Sequence, residues 1–148
     1  MEKDFDLWNV HKKLIENESK KILFKEGEVW WCAVGINVGQ ESCGKGGTGR
    51  RPVLIIKKLS GKNCIAIPLS TKQKTGSWFS EIKIQGINQC ALLHQIRMFS
   101  TKRFQRRLTT IEPEEFSVIK EKIELLLDLS FHYHQDRSPG SVGNPKSA

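Results

Sequence analysis

The stretch Gly27–Lys58, GEVWWCAVGINVGQESCGKGGTGRRPVLIIKK, decides how this chain folds. Residues 29–34 and 53–56 are β-branched, aromatic and apolar, which predicts two buried or half-buried strands. The segment between them, Gly35–Gly49, is rich in glycine and has few apolar residues; we call it the glycine loop. We expect this loop to be too glycine-rich to pack on itself and to be mobile.

Two arginines end the glycine loop at the point where the second strand begins. Arg50 and Arg51 precede Pro52 and an apolar run. A guanidinium group is planar and pairs with two oxygens of a phosphate at once. The position therefore predicts a site for a phosphate-bearing ligand.

The charge of the chain is unevenly distributed. The net charge is +8 over 148 residues, and residues 45–107 hold fourteen Lys and Arg against one acidic residue, Glu81. The first 24 residues hold five basic and five acidic residues, which cancel. A basic middle favours a polyanionic partner, most often nucleic acid. The alternative is a solvated basic surface.

The cysteines and the start of the chain indicate the compartment. Cys32, Cys43, Cys64 and Cys90 lack the close pairing that zinc sites need. The first residues are acidic and do not resemble a signal peptide, and no apolar run is long enough to span a membrane. We expect a cytoplasmic protein with reduced thiols and no metal.

Three regions are predicted along the chain: an N-terminal helical extension (1–24), a barrel domain with a C-terminal helix (25–131) and a disordered polar tail (132–148). The extension has helical spacing from residue 4 to about 23, with Asp4 as its cap. We expect this helix to pack on the domain's own surface, and docking of a partner is the alternative. Its predicted apolar stripe consists of Leu7, Trp8, Val10 or His11, Leu14 and Ile15.

The remaining elements predict a mainly β protein. Strands are expected at 64–69, 78–84, 90–97 and 107–110, a helical turn at 100–103 and a final helix at 112–129. In the strand 78–84, alternation places Trp78, Ser80, Ile82 and Ile84 on one face. Many short strands with one closing helix predict a small, strongly curved β-barrel.

Two nucleotide-binding patterns occur inside the glycine loop. Residues 39–46 nearly match a P-loop, but Gly46 stands where a Ser or Thr must hold the metal, and residues 44–49 match GxGxxG. Both motifs need a helix directly after the loop to receive the phosphate. A strand follows here, so neither motif predicts nucleotide binding.

Several blocks of the sequence resemble one protein family. GEVWW (27–31), RRPVLII (50–56), IPLSTK (67–72) and LLHQIR (92–97), followed by a Lys/Arg-rich turn and a helix, resemble MazF/PemK-type endoribonuclease toxins from about Lys25 to Leu127. The resemblance implies a small SH3-like (CcdB/PemK-type) barrel and a homodimer. It further implies sequence-specific cleavage of single-stranded RNA without metal or cofactor, which inhibits translation and growth. It also implies a cognate antitoxin whose C-terminal segment fills the RNA groove.

The resemblance also implies catalytic residues. The family's catalytic arginine falls on Arg51, and its catalytic hydroxyl, usually a threonine, falls on Ser70 with Thr71 beside it. Because successive strand residues point to opposite faces, either hydroxyl is a candidate. His94 stands where some relatives carry Asp or Glu, and is either an acid/base group or a half-buried strand histidine bonded to the backbone. Some plasmid-borne members use a basic residue where this chain has Leu92, so that role is not carried over.

RNA-binding residues are predicted around a basic loop that enters an aromatic strand. Such a loop offers phosphate contacts and base stacking. Arg97 is equally suited to bracing the barrel, and Trp78 to the core or a dimer interface. A solvated basic edge is expected at Arg103, Arg106 and Arg107, and contact of this edge with RNA is the alternative. The predicted RNA-binding residues are Lys45, Arg50, Lys72, Gln73, Lys74, Trp78, Phe79, Gln95 and Arg97.

Two other functions are compatible with this sequence. One is a non-catalytic SH3-like module that binds nucleic acid or protein, since a fold does not fix a function. The other is a relative that acts on a topoisomerase, which the pairing of Arg51 with Ser70 does not support.

Overall fold

The computed structural model of the chain describes residues 2–46 and 49–128. The predicted tail at 132–148 lies outside the described residues. Neither helix in the described part is both long and apolar enough to cross a membrane. The elements are α1 (Phe5–Asn17), β1 (Glu28–Ala33), β2 (Arg50–Lys58), β3 (Asn63–Ser70), β4 (Phe79–Ile84), β5 (Ile87–Leu92), β6 (Arg97–Ser100), β7 (Phe104–Thr110) and α2 (Pro113–Leu127), with 3₁₀ turns at Leu93–Gln95 and Thr101–Arg103.

The seven strands form one antiparallel half-barrel sheet, in the order β4-β5-β3-β2-β1-β7 with β6 paired to β3. Alternate residues of β1 and β2 enter different hydrophobic clusters: Val29 and Leu54 enter one, and Trp30 and Val53 enter the other. This is the period of two that strands require. The first cluster also contains Ile119 and Ile123 of α2. The predicted mainly β fold with two flanking helices is confirmed.

β3 connects the two parts of the sheet. One of its edges pairs with β2. Along the other edge, residues 63–66 pair with β6, whereas Leu69 and Ser70 pair with β5. The predicted single strand at 90–97 is therefore wrong, because the chain must break at Leu93–Gln95 to move from one end of β3 to the other.

The glycine loop is hydrogen-bonded to itself. Gly35 N–H donates to the Gly49 carbonyl at 2.9 Å, and Gly44 N–H donates to the Gly35 carbonyl at 2.8 Å. A Cβ added at Gly44 would lie 1.7 Å from the Gly49 carbonyl oxygen. The expectation that the loop does not pack on itself is wrong, because residues without a Cβ let the backbone approach itself this closely.

Helix α1 is attached through one large side chain. It begins as predicted, with the Asp4 carboxylate accepting from Leu7 N–H at 2.9 Å, but it ends at Asn17. Trp8 is 5% exposed, whereas Leu7, Val10 and Leu14 of the predicted stripe are exposed. The stripe prediction is therefore wrong for these three residues, and the contact of Trp8 with Gly35 anchors the helix.

Candidate functional site

Arg51 is held by two carbonyl groups from different elements. Its Nε donates to the Cys43 carbonyl in the glycine loop at 2.8 Å, and its Nη1 donates to the Leu69 carbonyl in β3 at 2.9 Å. The side chain is half-buried, and burial lowers the pKa of Arg51 while the nearby Cys43 thiol opposes that change. A guanidinium has five N–H donors. The three that these two bonds leave lie on Nη1 and Nη2, so that end remains able to bind a phosphate.

A cavity of about 660 Å³ lies beside Arg51, and we call it the Arg51 cavity. Its cationic side chains are Lys45, Arg50, Arg51 and Arg106, and none of its lining residues is acidic. A positive, partly enclosed surface concentrates anionic ligands. The other lining residues are the apolar Pro52, Leu69, Ile84, Ile87 and Leu108 together with Trp31, Gly46, Thr71, Gln85 and Gln89.

The two candidate hydroxyl groups are placed differently. Thr71 lines the Arg51 cavity, and Ser70 does not. The Ser70 hydroxyl accepts a hydrogen bond from Lys72 N–H at 3.2 Å. The structure therefore brings Thr71 and Arg51 to one cavity, with Ser70 adjacent in the chain.

His94 lies in a different environment from Arg51. It is exposed and belongs to the 3₁₀ turn Leu93–Gln95, so the alternative of a half-buried strand histidine is wrong. Its ring stacks on Trp78 at 5.0 Å between ring centroids and meets Phe79 edge-on at 5.2 Å. His94 lines a second cavity of about 320 Å³, which shares no lining residue with the Arg51 cavity.

The predicted basic loop and aromatic strand start lie next to His94. Trp78 is 54% exposed, so the alternative that places it in the core is wrong, whereas Ser80, Ile82 and Ile84 are buried. The Lys74 ammonium lies 5.7 Å from the centre of the Phe79 ring. The exposed Trp78 and His94 rings thus form an aromatic surface with cations beside it. In the same loop, Lys72 is exposed and Gln73 donates to the Asn88 carbonyl at 3.2 Å.

Gln95 and Arg97 also line the second cavity. Gln95 is tied to the glycine loop, because its Oε1 accepts from Ser42 N–H at 3.1 Å and its Nε2 donates to the Gln40 carbonyl at 3.0 Å. The Arg97 guanidinium lies 4.5 Å from the centre of the Phe99 ring. The predicted RNA-binding residues are therefore divided: Lys45 and Arg50 line the Arg51 cavity, and Gln95 and Arg97 line the other.

The structure adds residues to the site that the motifs do not mark. Arg106 of β7 pairs in register with Trp31 of β1, which brings both into the Arg51 cavity. Gln89 of β5 reaches the same cavity. The expected solvated edge is wrong for Arg103, which is half-buried and donates to the Ala33 and Val34 carbonyls at 2.9 and 3.3 Å.

The four cysteines are free, and three of them are buried. Burial raises the pKa of Cys64 to about 12 and also raises the pKa of Cys32 and Cys90. Cys43, in the glycine loop, is half-buried. Within residues 2–46 and 49–128, no three His, Cys, Asp or Glu side chains are grouped so as to hold a metal ion.

Solved structures share this fold. A MazF from Deinococcus radiodurans is 19% identical, with a TM-score of 0.59 over 73% of this chain and 99% of that one. A mycobacterial endoribonuclease, solved with its cognate antitoxin, is 16% identical, with a TM-score of 0.58 over 73% and 98% of the two chains. The toxin MazF-mt6 of Mycobacterium tuberculosis is 13% identical, with a TM-score of 0.51 over 61% and 96%.

Sequence comparison gives the family. A search of curated proteins finds no match. The model of one family does match, over residues 25–127, and that range contains every residue that lines the Arg51 cavity. The chain therefore belongs to the family of PemK-like, MazF-like toxins of type II toxin–antitoxin systems.

Proposed function

We propose that this protein is a toxin that cleaves single-stranded RNA in the cytoplasm without a metal ion or cofactor. The observation that carries the proposal is the Arg51 cavity, in which Arg51 and Thr71 lie among cationic side chains with no acidic lining residue. An RNA backbone is a polyanion, and single-stranded segments expose both phosphates and bases to such a surface.

The proposed reaction is a transesterification within the RNA chain. The 2′-OH of one nucleotide attacks the adjacent phosphorus, and the bond to the 5′-oxygen of the next nucleotide breaks, which leaves a cyclic phosphate and a 5′-OH. The protein must assist removal of the 2′-OH proton, stabilise the phosphorane and return a proton to the leaving oxygen.

We assign phosphorane stabilisation to Arg51. The carbonyls of Cys43 and Leu69 fix the plane of its guanidinium and leave the Nη end for the phosphate oxygens. A donor that is oriented in advance needs no reorganisation at the moment of reaction, which is why such donors contribute strongly to rate.

We assign the hydroxyl role to Thr71 or Ser70, with Thr71 favoured because it lines the cavity. Such a hydroxyl bonds the scissile phosphate or relays a proton. We assign His94 to RNA binding, since its ring stacks on the exposed Trp78 and a nucleobase can stack on the same aromatic surface.

We further propose that the toxin acts as a homodimer and is neutralised by a cognate antitoxin. The mycobacterial endoribonuclease with the same fold was solved with its cognate antitoxin. An antitoxin segment with acidic side chains would complement the cations of the Arg51 cavity and compete with RNA for them. Size-exclusion chromatography with light scattering tests the dimer.

The test of the enzyme uses purified protein, a long single-stranded RNA and EDTA. The wild type is expected to cut the RNA and leave cyclic phosphate ends. Arg51→Ala is expected to lose activity while it keeps the wild-type circular dichroism spectrum. Lys57→Ala is the matched control, because Lys57 is an exposed cation at the far end of the same strand.

The outcomes separate the candidate functions. RNA that remains intact with a folded wild type, yet binds to it, would identify a non-catalytic nucleic-acid-binding module. Cleavage by Arg51→Ala at the wild-type rate would show that Arg51 has no part in the chemistry.

A further inference from the structure

Gln89 presents a side-chain amide without a partner to the Arg51 cavity. The residue is 8% exposed and lines the Arg51 cavity. Within residues 2–46 and 49–128, no side-chain hydrogen bond involves its amide. The amide is not among the fully covered unpartnered atoms, so part of it is accessible from the cavity. The amide is therefore available to a ligand in the cavity.

Other unpartnered polar atoms belong to the same cavity. In the described part of the chain, the fully covered side-chain nitrogen or oxygen atoms without a partner are Trp31 Nε1 and Arg50 Nε. Both residues line the Arg51 cavity, where the Arg50 guanidinium lies 4.6 Å from the centre of the Trp31 ring. Both nitrogen atoms are covered by neighbouring atoms, so the Gln89 amide, and not these two groups, is what a ligand in the cavity can reach.

The strand register brings Gln89 close to the proposed chemistry. β5 pairs antiparallel with β3, and Ser70 lies opposite Cys90. Thr71 follows Ser70 where β3 ends, Gln89 precedes Cys90 in β5, and both residues line the cavity with Arg51. A group bound to the Gln89 amide would therefore be a neighbour of the phosphate held by Arg51 and Thr71.

The surface around Gln89 suits the flat face of a nucleobase. Leu69 and Ile84 are buried residues that line the cavity, and the exposed Ile87 lines it as well. Pockets for small planar ligands combine such an apolar lining with a few polar groups that fix orientation. Gln89 supplies a polar group of this kind, with an NH₂ donor group and a carbonyl acceptor side by side.

We propose that Gln89 reads one nucleobase next to the scissile phosphate, and that this base is adenine. The inference depends on the proposed function, because it assigns a base to the RNA that the Arg51 cavity cleaves. A glutamine amide matches the amino group and the neighbouring ring nitrogen of adenine with two hydrogen bonds. Single-stranded RNA presents these base edges without a competing strand.

The test maps every cut that the protein makes in a long single-stranded RNA of mixed sequence. The wild type is expected to require adenine at one position beside the cut. Gln89→Leu is expected to reduce that preference about tenfold or more, because a two-bond contact to a base gives discrimination of that order. Preferences at the other positions should stay unchanged, a pattern that general loss of structure does not produce.

Two further measurements sharpen the test. A short RNA with purine riboside in place of that adenine lacks the amino group, so the wild type should cut it more slowly and Gln89→Leu should not distinguish the two RNAs. Gln105→Leu is the matched control, since Gln105 is exposed on β7 and outside the Arg51 cavity. Gln89→Glu, which keeps the shape of the side chain, replaces Gln89→Leu if the latter fails to fold.

The failure of this inference is distinguishable from failure of the proposed function. An unchanged cleavage motif in folded Gln89→Leu and Gln89→Glu would overturn the reading of a base by Gln89 alone, as would a wild-type motif without adenine beside the cut. A wild type that cuts no RNA at all would overturn the enzyme, and this subsite with it.

Discussion

Trp8 covers Gly35 so closely that a Cβ on Gly35 would lie 2.2 Å from the indole ring. The start of α1 also reaches the glycine loop, because the Lys3 ammonium donates to the Asn37 and Gly39 carbonyls. The same loop provides the Cys43 carbonyl that holds Arg51. The helix lies outside the residues that match the family, yet it supports the loop that orients the central arginine.

We expect Trp8→Ala to lower the free energy of unfolding by about 3 kcal/mol, because truncation of a buried tryptophan removes its packing and leaves a cavity. Urea denaturation measures the change. Leu14→Ala is the control on the same helix, since Leu14 is 60% exposed and should change the value by less than about 0.5 kcal/mol. Equal effects of the two substitutions would show that Trp8 does not anchor α1.

We expect Gly44→Ala to slow RNA cleavage and to lower the melting temperature. Its Cβ would lie 1.7 Å from the Gly49 carbonyl oxygen, so the loop must open and displace the Cys43 carbonyl from Arg51. Gly61→Ala is the control, because a Cβ at Gly61 meets nothing within 4 Å. Calorimetry and cleavage kinetics measure the effects, and wild-type values for Gly44→Ala would contradict the close packing of the loop.

We expect the two hydroxyl substitutions to differ. Thr71→Val should lower kcat by about 10²- to 10³-fold, the usual loss when one oriented donor is removed. Ser70→Ala should have a smaller effect, because the Ser70 hydroxyl accepts from Lys72 N–H and does not line the Arg51 cavity. Single-turnover kinetics on one RNA measure both variants, and the opposite order would assign the chemistry to Ser70.

We expect RNA affinity to fall steeply with salt. For single strands, the slope of log K against log salt is about −0.7 for each phosphate neutralised, so the four cations of the Arg51 cavity predict about −3. Lys45→Ala should reduce the slope by about 0.7, whereas Lys57→Ala should leave it unchanged. Fluorescence anisotropy with an RNA that lacks the attacking 2′-OH measures binding alone, and a flat response would contradict an electrostatic groove.

We expect only one of the four cysteines to react quickly with iodoacetamide in the folded protein. Cys32, Cys64 and Cys90 are buried, and burial raises the pKa of each thiol, so little thiolate forms. Cys43 is half-buried in the glycine loop and should be labelled first. Peptide mass spectrometry after a short exposure identifies the site; early labelling of Cys64 would contradict its burial.

The sequence predicts the parts of the fold that depend on local pattern. Residues 53–56 and 64–69 are strands in the structure because their apolar side chains fill the two clusters of the core. The break at Leu93–Gln95 has no glycine or proline to mark it, since it arises from the exchange of partners along β3. The spacing of α1 likewise predicts an apolar stripe, but it does not reveal that the protein covers Trp8 and leaves the rest of that stripe largely exposed.

In the candidate site, too, local motifs predict some residues and the pairing of strands adds others. Arg51 and the hydroxyl groups of Ser70 and Thr71 can be predicted, because they lie at matching positions of motifs that this chain shares with the family. Arg106 and Gln89 join them through strand register, which pairs Trp31 with Arg106 and Ser70 with Cys90. Each of these pairs joins strands that are not consecutive in the chain, so the sequence of β5 or β7 alone does not reveal its partner.

Strands β1 and β3 pair with strands that come much later in the sequence, which matters while the chain is being synthesised. Residues 63–66 find their β6 partners only when residues 97–100 have left the ribosome, and β1 finds β7 later still. The lining of the Arg51 cavity extends from Trp31 to Leu108, so a nascent or prematurely terminated chain has no assembled cavity. The cavity in which we propose that RNA is cleaved therefore assembles only when translation of the domain is almost complete.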